Sequence, residues 1–272
     1  MITAEDFDVI CRLLREQSGI SLEAGKEYLV ETRLAPVLYE LKLASIGELI
    51  GQLRSHNGFE LSRQIVESLV TSETSFFRDT IPFDELRRTV IPDLMNRRRA
   101  ERRLNIWCAA SSTGQEPYSL ALLFREHFPE LAGWTVSLLA SDISRSSLQR
   151  ARAGLYNQVE AARGLPDLLR TKYFEQQGTD WQLERSVCRM VDFREINLAG
   201  AWPALPQMDL ILVRNVMIYF EVETKKSILA KLTRLLPPDG YLLLGGSETT
   251  FNLSAEFRRV DTLKSGFYQV SS

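Results

Sequence analysis

The sequence is poor in the residues that build metal centres and covalent cross-links. It has only two histidines, His56 and His127, among 272 residues. Its three cysteines, Cys11, Cys108 and Cys188, are widely spaced and form no C-x-x-C pair. An odd number of isolated cysteines is typical of reduced, mostly buried thiols. The composition excludes a histidine-rich metal site and argues against a histidine-based catalytic triad, so we expect no bound metal.

Long apolar runs and a strong net charge are also missing. No apolar stretch approaches the roughly 18 residues that span a bilayer, and the N-terminal MITAEDFDVI lacks the basic and apolar regions of a signal peptide. The net charge of −2 favours neither nucleic acid nor an anionic membrane as a partner. With 44% hydrophobic residues the chain is long enough for a well-buried core. We expect a cytoplasmic protein without membrane insertion.

The first part of the chain has helical periodicity. Apolar residues recur three or four positions apart, as in Phe7, Ile10 and Leu14. Thr3 and Ser45 each stand three residues before an acidic residue, a pattern that indicates the start of a helix. Residues 1–70 are therefore predicted to form a small helical domain of four short helices.

After about residue 104 the pattern changes to short apolar runs that alternate with helical stretches. The runs are LNIWCA from Leu104, WTVSLLAS from Trp134, MDLILV from Met208 and YLLLGG from Tyr241. The helices are expected to begin near Gln115, Ser144 and Glu221. Such runs suit strands covered on both faces, and their alternation with helices predicts an α/β fold with a parallel sheet. A last run, GFYQV from Gly266, is expected to close one edge.

The two regions are expected to be joined by helices over residues 83–99. This joining region ends in RRRAERR, residues 97–103. The basic run could dock an anionic partner, or it could be a solvated helix end just before a strand. We favour the second interpretation, because charge runs usually lie on solvated faces.

Polar residues follow the first apolar run. Ser111, Ser112 and Gly114 predict a turn of small residues that lets a ligand approach the backbone. Pro117 suits a helix start, where its missing N–H costs nothing. Glu116 could accept a hydrogen bond from a ligand ammonium group, or it could simply be an acid that stabilises the positive end of the helix dipole.

Acidic and polar residues also follow the next two runs. Asp142 ends the second run, where related folds hold ribose hydroxyls, although it could instead cap the following helix. Arg214, Asn215 and Tyr219 follow the third run at the same edge of the sheet. Two acids at successive strand ends favour a nucleoside ligand, and the convergence predicts a pocket.

Four motifs together resemble one family. TSETSFFRD, IWCAASSTGQEPYS, ASDISRSSLQRARAGLY and LVRNVMIYF, in this order and followed by PPDGYLLLGGSE, look like the chemotaxis receptor methyltransferases, the CheR family. The resemblance covers nearly the whole chain. It implies a class I S-adenosylmethionine-dependent, Rossmann-like methyltransferase sheet of seven strands over residues 71–272, with the helical N-terminal domain and an inserted antiparallel β-subdomain. The implied activity is esterification of specific glutamates on the cytoplasmic helices of chemoreceptors.

The resemblance also assigns roles to residues around the cofactor. It places Glu116 at the amino group of the methionine moiety, Asp142 at the ribose hydroxyls, and the contacts to the rest of the cofactor at Ser72, Thr74, Arg78, Asn197, Leu198, Arg214 and Asn215. At Ser72 relatives often carry asparagine, and serine replaces only part of the hydrogen bonding of an amide.

Catalytic roles follow for Arg78 and Tyr219. A glutamate with a reference pKa of about 4.3 is already ionised, so methyl transfer to it needs no general base. Arg78 is therefore expected to orient the nucleophile, and Tyr219 to lie beside the transferring methyl, unless its ring only packs. In the same segment, Phe76 and Phe77 are expected to anchor the chain between the two domains, or to be simply a buried aromatic pair.

Two other functions remain open. A catalytically silent adaptor could keep the cofactor pocket to sense S-adenosylmethionine, although Arg78 and Tyr219 argue against it. A methyltransferase for RNA or a small molecule is the other alternative; the sequence has no D/N-P-P-Y motif and no basic stripe for RNA.

Receptor recognition is the least determined part. The family uses the helical domain for this purpose, but residues 1–80 carry eight basic and thirteen acidic residues, so local groups such as Arg33 and Lys42 would have to attract an acidic receptor.

The β-subdomain is expected over about residues 172–195, with a compact turn that contains Gly178. Some relatives dock a C-terminal receptor pentapeptide on a longer loop at this place. We therefore expect a monomer that is independent of the pentapeptide, unless Trp181 anchors the peptide in another way.

Overall fold

The helical N-terminal domain is present as predicted. The computed structural model describes residues 2–53 and 58–271, so His56 lies outside the described part. The four helices are α1 Ala4–Ser18, α2 Glu27–Leu41, α3 Ile46–Gln52 and α4 Gly58–Leu69. Thr3 Oγ1 accepts from Asp6 N at 3.1 Å and Ser45 Oγ from Glu48 N at 3.2 Å, which confirms both helix starts.

A continuous helical connector joins the two regions. It consists of α5 Ile81–Glu85, a π-helical turn over Leu86–Val90 and α6 Ile91–Arg97. The basic run begins where α6 ends and stops where the first strand begins, at Arg103. This confirms the interpretation of RRRAERR as a helix end before a strand.

In the described part of the chain, ten strands and six further α-helices follow the connector. The strands are β1 Arg103–Ala109, β2 Thr135–Asp142, β3 Leu155–Asn157, β4 Phe174–Gln177, β5 Asp180–Leu183, β6 Val191–Glu195, β7 Leu210–Val213, β8 Tyr241–Leu244, β9 Phe257–Arg259 and β10 Gly266–Val270. The helices are α7 Gln115–His127, α8 Arg145–Ala153, α9 Gln158–Ala162, α10 Asp167–Tyr173, α11 Arg185–Cys188 and α12 Val222–Leu235.

Seven strands form a mixed sheet in the order β6-β2-β1-β7-β8-β10-β9. The first five are parallel, and β10 runs antiparallel to both β8 and β9. Strands β7 and β8 are buried at every position, which is why they appear in the sequence as unbroken apolar runs. The expectation that the GFYQV strand closes the edge is wrong, because β9 pairs on its outer side.

The small sheet also differs from the expected one. Its order is β3-β5-β4, with antiparallel pairing, so it gains a strand over Leu155–Asn157. Residues 191–195, expected in this sub-domain, instead form β6 and pair with β2 at the other edge of the large sheet. Val191 and Phe193 are buried while Asp192 and Arg194 are exposed. This alternation is typical of an edge strand with one wet face and is equally compatible with a strand of a small antiparallel sheet.

The helical domain shares a core with one face of the large sheet. Ile10 and Leu34 of the helices belong to the same buried apolar cluster as Trp107, Ile211 and Leu242 of the strands. The opposite face packs against the connector, α7, α8 and the small sheet in a second cluster. Among the described residues, each helix is too short or too polar to cross a bilayer. The fold thus places the helical domain against one side of the sheet and near its carboxyl edge.

Candidate active site

A cavity of about 320 Å³ lies where the carboxyl ends of the parallel strands meet the helical domain. Its walls come from the segments that follow β1, β2, β6 and β7, and from the chain between Ser18 and Arg33. Ligands of open α/β sheets bind at this edge, because the strand ends leave main-chain groups and loops facing one crevice.

Most of the residues predicted from the sequence line this cavity. They are Thr74, Arg78, Glu116, Asp142, Asn197, Leu198, Arg214, Asn215 and Tyr219. Ser72 does not line it; its side chain is exposed and its carbonyl accepts from Ser112 Oγ at 2.7 Å. The structure therefore brings together nine of the ten predicted side chains.

Glu116 is held in the first turn of α7 with almost no exposure to solvent. Gly114 makes the preceding turn with φ +93°, where a Cβ would lie 3.0 Å from Ala151 Cβ. Glu116 Oε2 accepts from Arg214 Nη1 at 2.7 Å. Burial raises the pKa of Glu116 above its ordinary value, and the neighbouring Arg214 only partly offsets this effect. A second cationic group from a ligand would therefore be stabilised beside Glu116.

Arg214 is the centre of the charged groups in the cavity. Its Nη2 donates to Asp79 Oδ2 at 2.8 Å and to the carbonyl of Arg78 at 2.9 Å. Its Nε is buried and has no hydrogen-bond partner within the described residues, and the same holds for Ser111 Oγ. Buried polar atoms without partners are expensive, so the unpartnered Nε of Arg214, a residue that lines the cavity, suits a polar ligand, whereas Ser111 does not line it.

Asp142 ties the ends of two strands together. Its Oδ2 accepts from Ser112 N at 2.8 Å and its Oδ1 from Ser144 N at 2.9 Å. The cap of the following helix is Ser144, whose Oγ accepts from Ser147 N, so the alternative that Asp142 is the cap is wrong. Burial raises the pKa of Asp142 despite these hydrogen bonds. The carboxylate retains acceptor capacity for the hydroxyls of a ribose.

The segment 71–79 contributes Thr71, Glu73, Thr74 and Arg78 to the lining of the cavity. Phe76 is fully buried, and its ring packs edge-on against Tyr156 at 5.0 Å and Phe174 at 5.6 Å between centroids. Phe77 packs against Phe83 at 5.3 Å. These rings attach the segment to the small sheet and the connector, so the expectation that they anchor it between the two domains is wrong. The simpler interpretation, a buried aromatic pair, is correct for Phe76, while Phe77 is only partly buried.

The helical domain contributes contacts that the sequence did not indicate. Ser21 N donates to the carbonyl of Tyr219 at 3.1 Å, and Asn197 Nδ2 donates to the carbonyl of Gln17 at 2.6 Å. Arg33 lines the cavity and donates to Thr71 Oγ1 at 3.0 Å. Arg33 thus holds the start of segment 71–79, while Lys42 lies beyond the far end of α2. No local pattern marks these contacts, because they depend on how the two domains pack.

The donor set fits S-adenosylmethionine. Glu116 offers a carboxylate for an ammonium group, Asp142 a carboxylate for vicinal hydroxyls, and Arg214 unsatisfied donor capacity for a carboxylate. Leu198 and Ile143 add apolar surface for an aromatic base. These complementary groups lie in a single cavity.

Comparison with known proteins identifies the family. The family model "CheR methyltransferase, all-alpha domain" matches residues 5–70, and "CheR methyltransferase, SAM binding domain" matches residues 72–265. A chemotaxis protein methyltransferase of Vibrio parahaemolyticus is 38% identical over 95% of this chain and 94% of its own length. Chemotaxis protein methyltransferase 1 of Pseudomonas aeruginosa is 36% identical over 94% of each chain, and the relative from Borreliella burgdorferi is 33% identical over 91% of this chain and 89% of its own. The chain therefore belongs to the CheR methyltransferase family.

Proposed function

We propose that this protein transfers a methyl group from S-adenosylmethionine to glutamate side chains on the cytoplasmic helices of chemoreceptors, forming methyl esters. The observation that carries the proposal is the cavity in which Glu116, Asp142 and Arg214 converge beside Tyr219. The full-length similarity to chemotaxis protein methyltransferases supports the choice of substrate. We also propose a cytoplasmic location, because the receptor helices that would be methylated lie in the cytoplasm.

Methyl transfer to a glutamate requires the protein mainly to align the reacting atoms. When bound, S-adenosylmethionine supplies an electrophilic methyl group on a sulfonium. The attacking glutamate is already ionised at neutral pH, so no side chain has to remove a proton. Alignment of the reacting atoms can contribute about 7–11 kcal/mol, which is enough to dominate such a reaction.

Arg78 and Tyr219 are proposed to orient the nucleophile. Arg78 Nη1 donates to the carbonyl of Glu73 at 3.2 Å, so its guanidinium retains donors for an incoming carboxylate. A contact that bound this carboxylate too tightly would stabilise the ground state, because the charge is neutralised during transfer. An orienting contact is therefore more useful than a strong ion pair.

The proposal is tested by methyl transfer from labelled S-adenosylmethionine to purified receptor signalling domains, with mapping of the modified sites by mass spectrometry. Arg78→Ala and Tyr219→Phe should lower turnover by more than they weaken binding of S-adenosylhomocysteine. Cofactor binding without transfer to any receptor would instead support a silent adaptor. Transfer to RNA at low salt would support the other alternative.

We further propose that the enzyme acts as a monomer without a receptor C-terminal pentapeptide. Gln177 pairs with Asp180, so only Gly178 and Thr179 connect β4 to β5, with Gly178 at φ +64°. Such a two-residue hairpin offers no loop to surround a peptide.

Trp181, the alternative peptide anchor, already has partners. Its Nε1 donates to Gln158 Oε1 at 2.6 Å, and the guanidinium of Arg170 lies 5.1 Å from its ring centroid. Titration with receptor pentapeptides by calorimetry should give no heat, and tail-truncated receptors should be methylated as fast as full-length ones. Micromolar binding together with loss of activity on truncation would contradict this proposal, and light scattering checks the monomer.

A further inference from the structure

The carboxylate of Glu248 is buried just beyond the end of β8, in a segment to which the site described above assigns no role. It accepts four main-chain N–H groups. Oε2 accepts from Gly245 N at 2.7 Å and Asn215 N at 2.8 Å, and Oε1 from Val216 N at 2.9 Å and Met217 N at 2.7 Å. Three of these donors belong to the segment that follows β7.

The hydrogen bonds to the Glu248 carboxylate are strong because they go from main-chain N–H groups to a buried, ionised acceptor. A buried carboxylate is costly unless its oxygens accept several hydrogen bonds, and bonds from N–H groups to an ionised acceptor are roughly twice as strong as those between neutral groups. Successive main-chain N–H groups that converge on one anion form a concave anion-binding site, called a nest. Here the anion is part of the protein itself, so Glu248 fixes the conformation of the segment that surrounds it.

The fixed segment is a wall of the cavity. Asn215, Val216, Ile218 and Tyr219 all line it. Asn215 has φ +57°, a left-handed conformation that is uncommon for non-glycine residues, although asparagine adopts it more readily than most. Its N–H is one of those that the Glu248 carboxylate accepts, so this contact helps to hold the turn.

The other end of the same segment is held by the helical domain. Ser21 N donates to the carbonyl of Tyr219, and Ile20 forms an isolated antiparallel bridge with Phe220. Glu248 at one end and the bridge at the other leave residues 215–220 fixed at both ends. Tyr219 lies within this stretch.

Gly245 shows how closely this contact is packed. A Cβ on Gly245 would lie 2.6 Å from Glu248 Oε2 and 2.8 Å from Asn215 N, distances that require the segment to move. A Cβ on the adjacent Gly246 would meet nothing within 4 Å. The two glycines thus provide a matched pair of sites, one that perturbs the contact and one that does not.

We infer that Glu248 is a positioning residue for methyl transfer: through three hydrogen bonds from the main chain of residues 215–217 it holds Asn215 and Tyr219 in their places at the cofactor cavity. The inference rests on the proposed function, since the roles of Asn215 and Tyr219 come from it. Glu248 itself does not line the cavity. It acts through the segment it holds, and its negative charge adds to the effect of burial in raising the pKa of Glu116.

The first test replaces Glu248 with glutamine. Glu248→Gln keeps the shape but turns one oxygen into an NH₂ group that faces N–H donors, so two hydrogen bonds are lost and donors are opposed. We expect kcat to fall at least tenfold with the KM for receptor little changed, and the amides of Asn215, Val216 and Met217 to exchange with deuterium at least tenfold faster. Glu256→Gln, at an exposed carboxylate, is the control and should change neither.

The second test keeps the inference open to refutation if Glu248→Gln fails to fold. Gly245→Ala should lower kcat and speed exchange of the same amides, whereas Gly246→Ala should resemble the wild type. The melting temperature of each variant is measured beside its turnover. A loss of turnover that only follows the folded fraction, or amide exchange at 215–217 that does not change in Glu248→Gln, would overturn the positioning role.

Failure of the proposed function would look different. In that case the wild-type protein itself would bind S-adenosylhomocysteine without methylating any receptor, even though Glu248→Gln still made the amides of residues 215–217 exchange faster. Loss of turnover in Asn215→Ala or Tyr219→Phe together with loss in Glu248→Gln is the result we expect.

Discussion

The two ends of the large sheet each carry an arginine between two carboxylates, and they use it differently. At the amino end Arg98 Nε donates to Asp209 Oδ1 at 2.6 Å, and its two terminal nitrogens donate to Asp239 at 2.8 Å each. The remaining oxygen of Asp209 accepts from Asn105 N at 2.8 Å. Each nitrogen of the Arg98 guanidinium and each carboxylate oxygen of Asp209 and Asp239 thus has a hydrogen-bond partner within the protein.

At the carboxyl end the corresponding group is incomplete. Arg214 bonds Glu116 and Asp79, but its buried Nε has no partner in the described part of the chain. The side chain of Arg214 is only 2% exposed, against 19% for Arg98. The more deeply buried group is thus the less satisfied one. We interpret the first group as one that stabilises the fold, and we propose that a ligand completes the second.

The pKa directions agree with this division. Hydrogen bonds from Arg98 lower the pKa of Asp239, so its ionised form stabilises the folded protein. Burial raises the pKa of Glu116, so its ionised form costs stability in the free protein. An ionised carboxylate beside an arginine therefore stabilises the folded protein at the amino end and destabilises it at the carboxyl end.

The largest expected effect is on stability, at the amino end. Arg98→Ala leaves the nearly buried carboxylate of Asp209 without its cation, and we expect a loss of about 3 kcal/mol in the free energy of unfolding, near the lower end of the range for breaking a buried ion pair. Urea titration measures it. The exposed Arg99→Ala is the control. Affinity for S-adenosylhomocysteine should not change in folded Arg98→Ala; a change would show that the two ends are coupled.

The next effect is on binding, at the carboxyl end. Glu116→Ala and Asp142→Ala should each weaken S-adenosylhomocysteine binding by about 1–3 kcal/mol, because each removes a charged acceptor for the ligand. Calorimetry of the folded variants gives the values. Asp239→Ala removes an acid of the other end and should leave affinity unchanged. Unaltered affinity in both Glu116→Ala and Asp142→Ala would remove the assignment of the pocket.

The third effect is a pH dependence with a definite sign. A ligand ammonium group binds better to ionised Glu116, so affinity for the ligand should fall as pH drops through the raised pKa of this residue. This fall should begin at a higher pH than it would for an exposed glutamate, whose pKa is about 4.3. In the free protein the sign is opposite: the contribution of Glu116 to stability is present below about pH 4.3 and is lost as pH rises through its raised pKa.

Calorimetry between neutral and acidic pH checks this dependence. Glu116→Gln should bind more weakly at neutral pH and lose the part of the pH dependence that belongs to Glu116. A wild-type affinity that stays constant into the acidic range would contradict the role of Glu116 as an ionised acceptor.

What the sequence predicts depends on how far apart the determining residues are. Strand β1 and the start of α7 can be predicted from neighbouring residues, since LNIWCA suits a strand covered on both faces and the turn that leads to Glu116 follows it directly. The strand β9, with Phe257 as its only apolar residue, gives no periodic signal. Glu248 lies 33 residues from Asn215, and its role appears only when both strands end at one edge. Contacts such as Ser21 with Tyr219 depend on domain packing, which no local pattern encodes.

The smallest expected effect separates two serines near the cavity. The family resemblance assigns a cofactor contact to Ser72, whereas the structure exposes its side chain and uses only its carbonyl. Ser112 lines the cavity, donates its Oγ to that carbonyl and its N–H to Asp142 Oδ2. We expect Ser72→Ala to change S-adenosylhomocysteine affinity by less than about 0.5 kcal/mol, as for most surface substitutions. Ser112→Ala should weaken binding by about 1 kcal/mol, because it removes the hydrogen bond that joins segment 71–79 to the turn after β1. Calorimetry on Ser72→Ala and Ser112→Ala shows which of the two serines contributes to binding of S-adenosylhomocysteine. A loss above about 1.4 kcal/mol, a factor of ten, in Ser72→Ala would show that this side chain turns into the cavity when the cofactor binds.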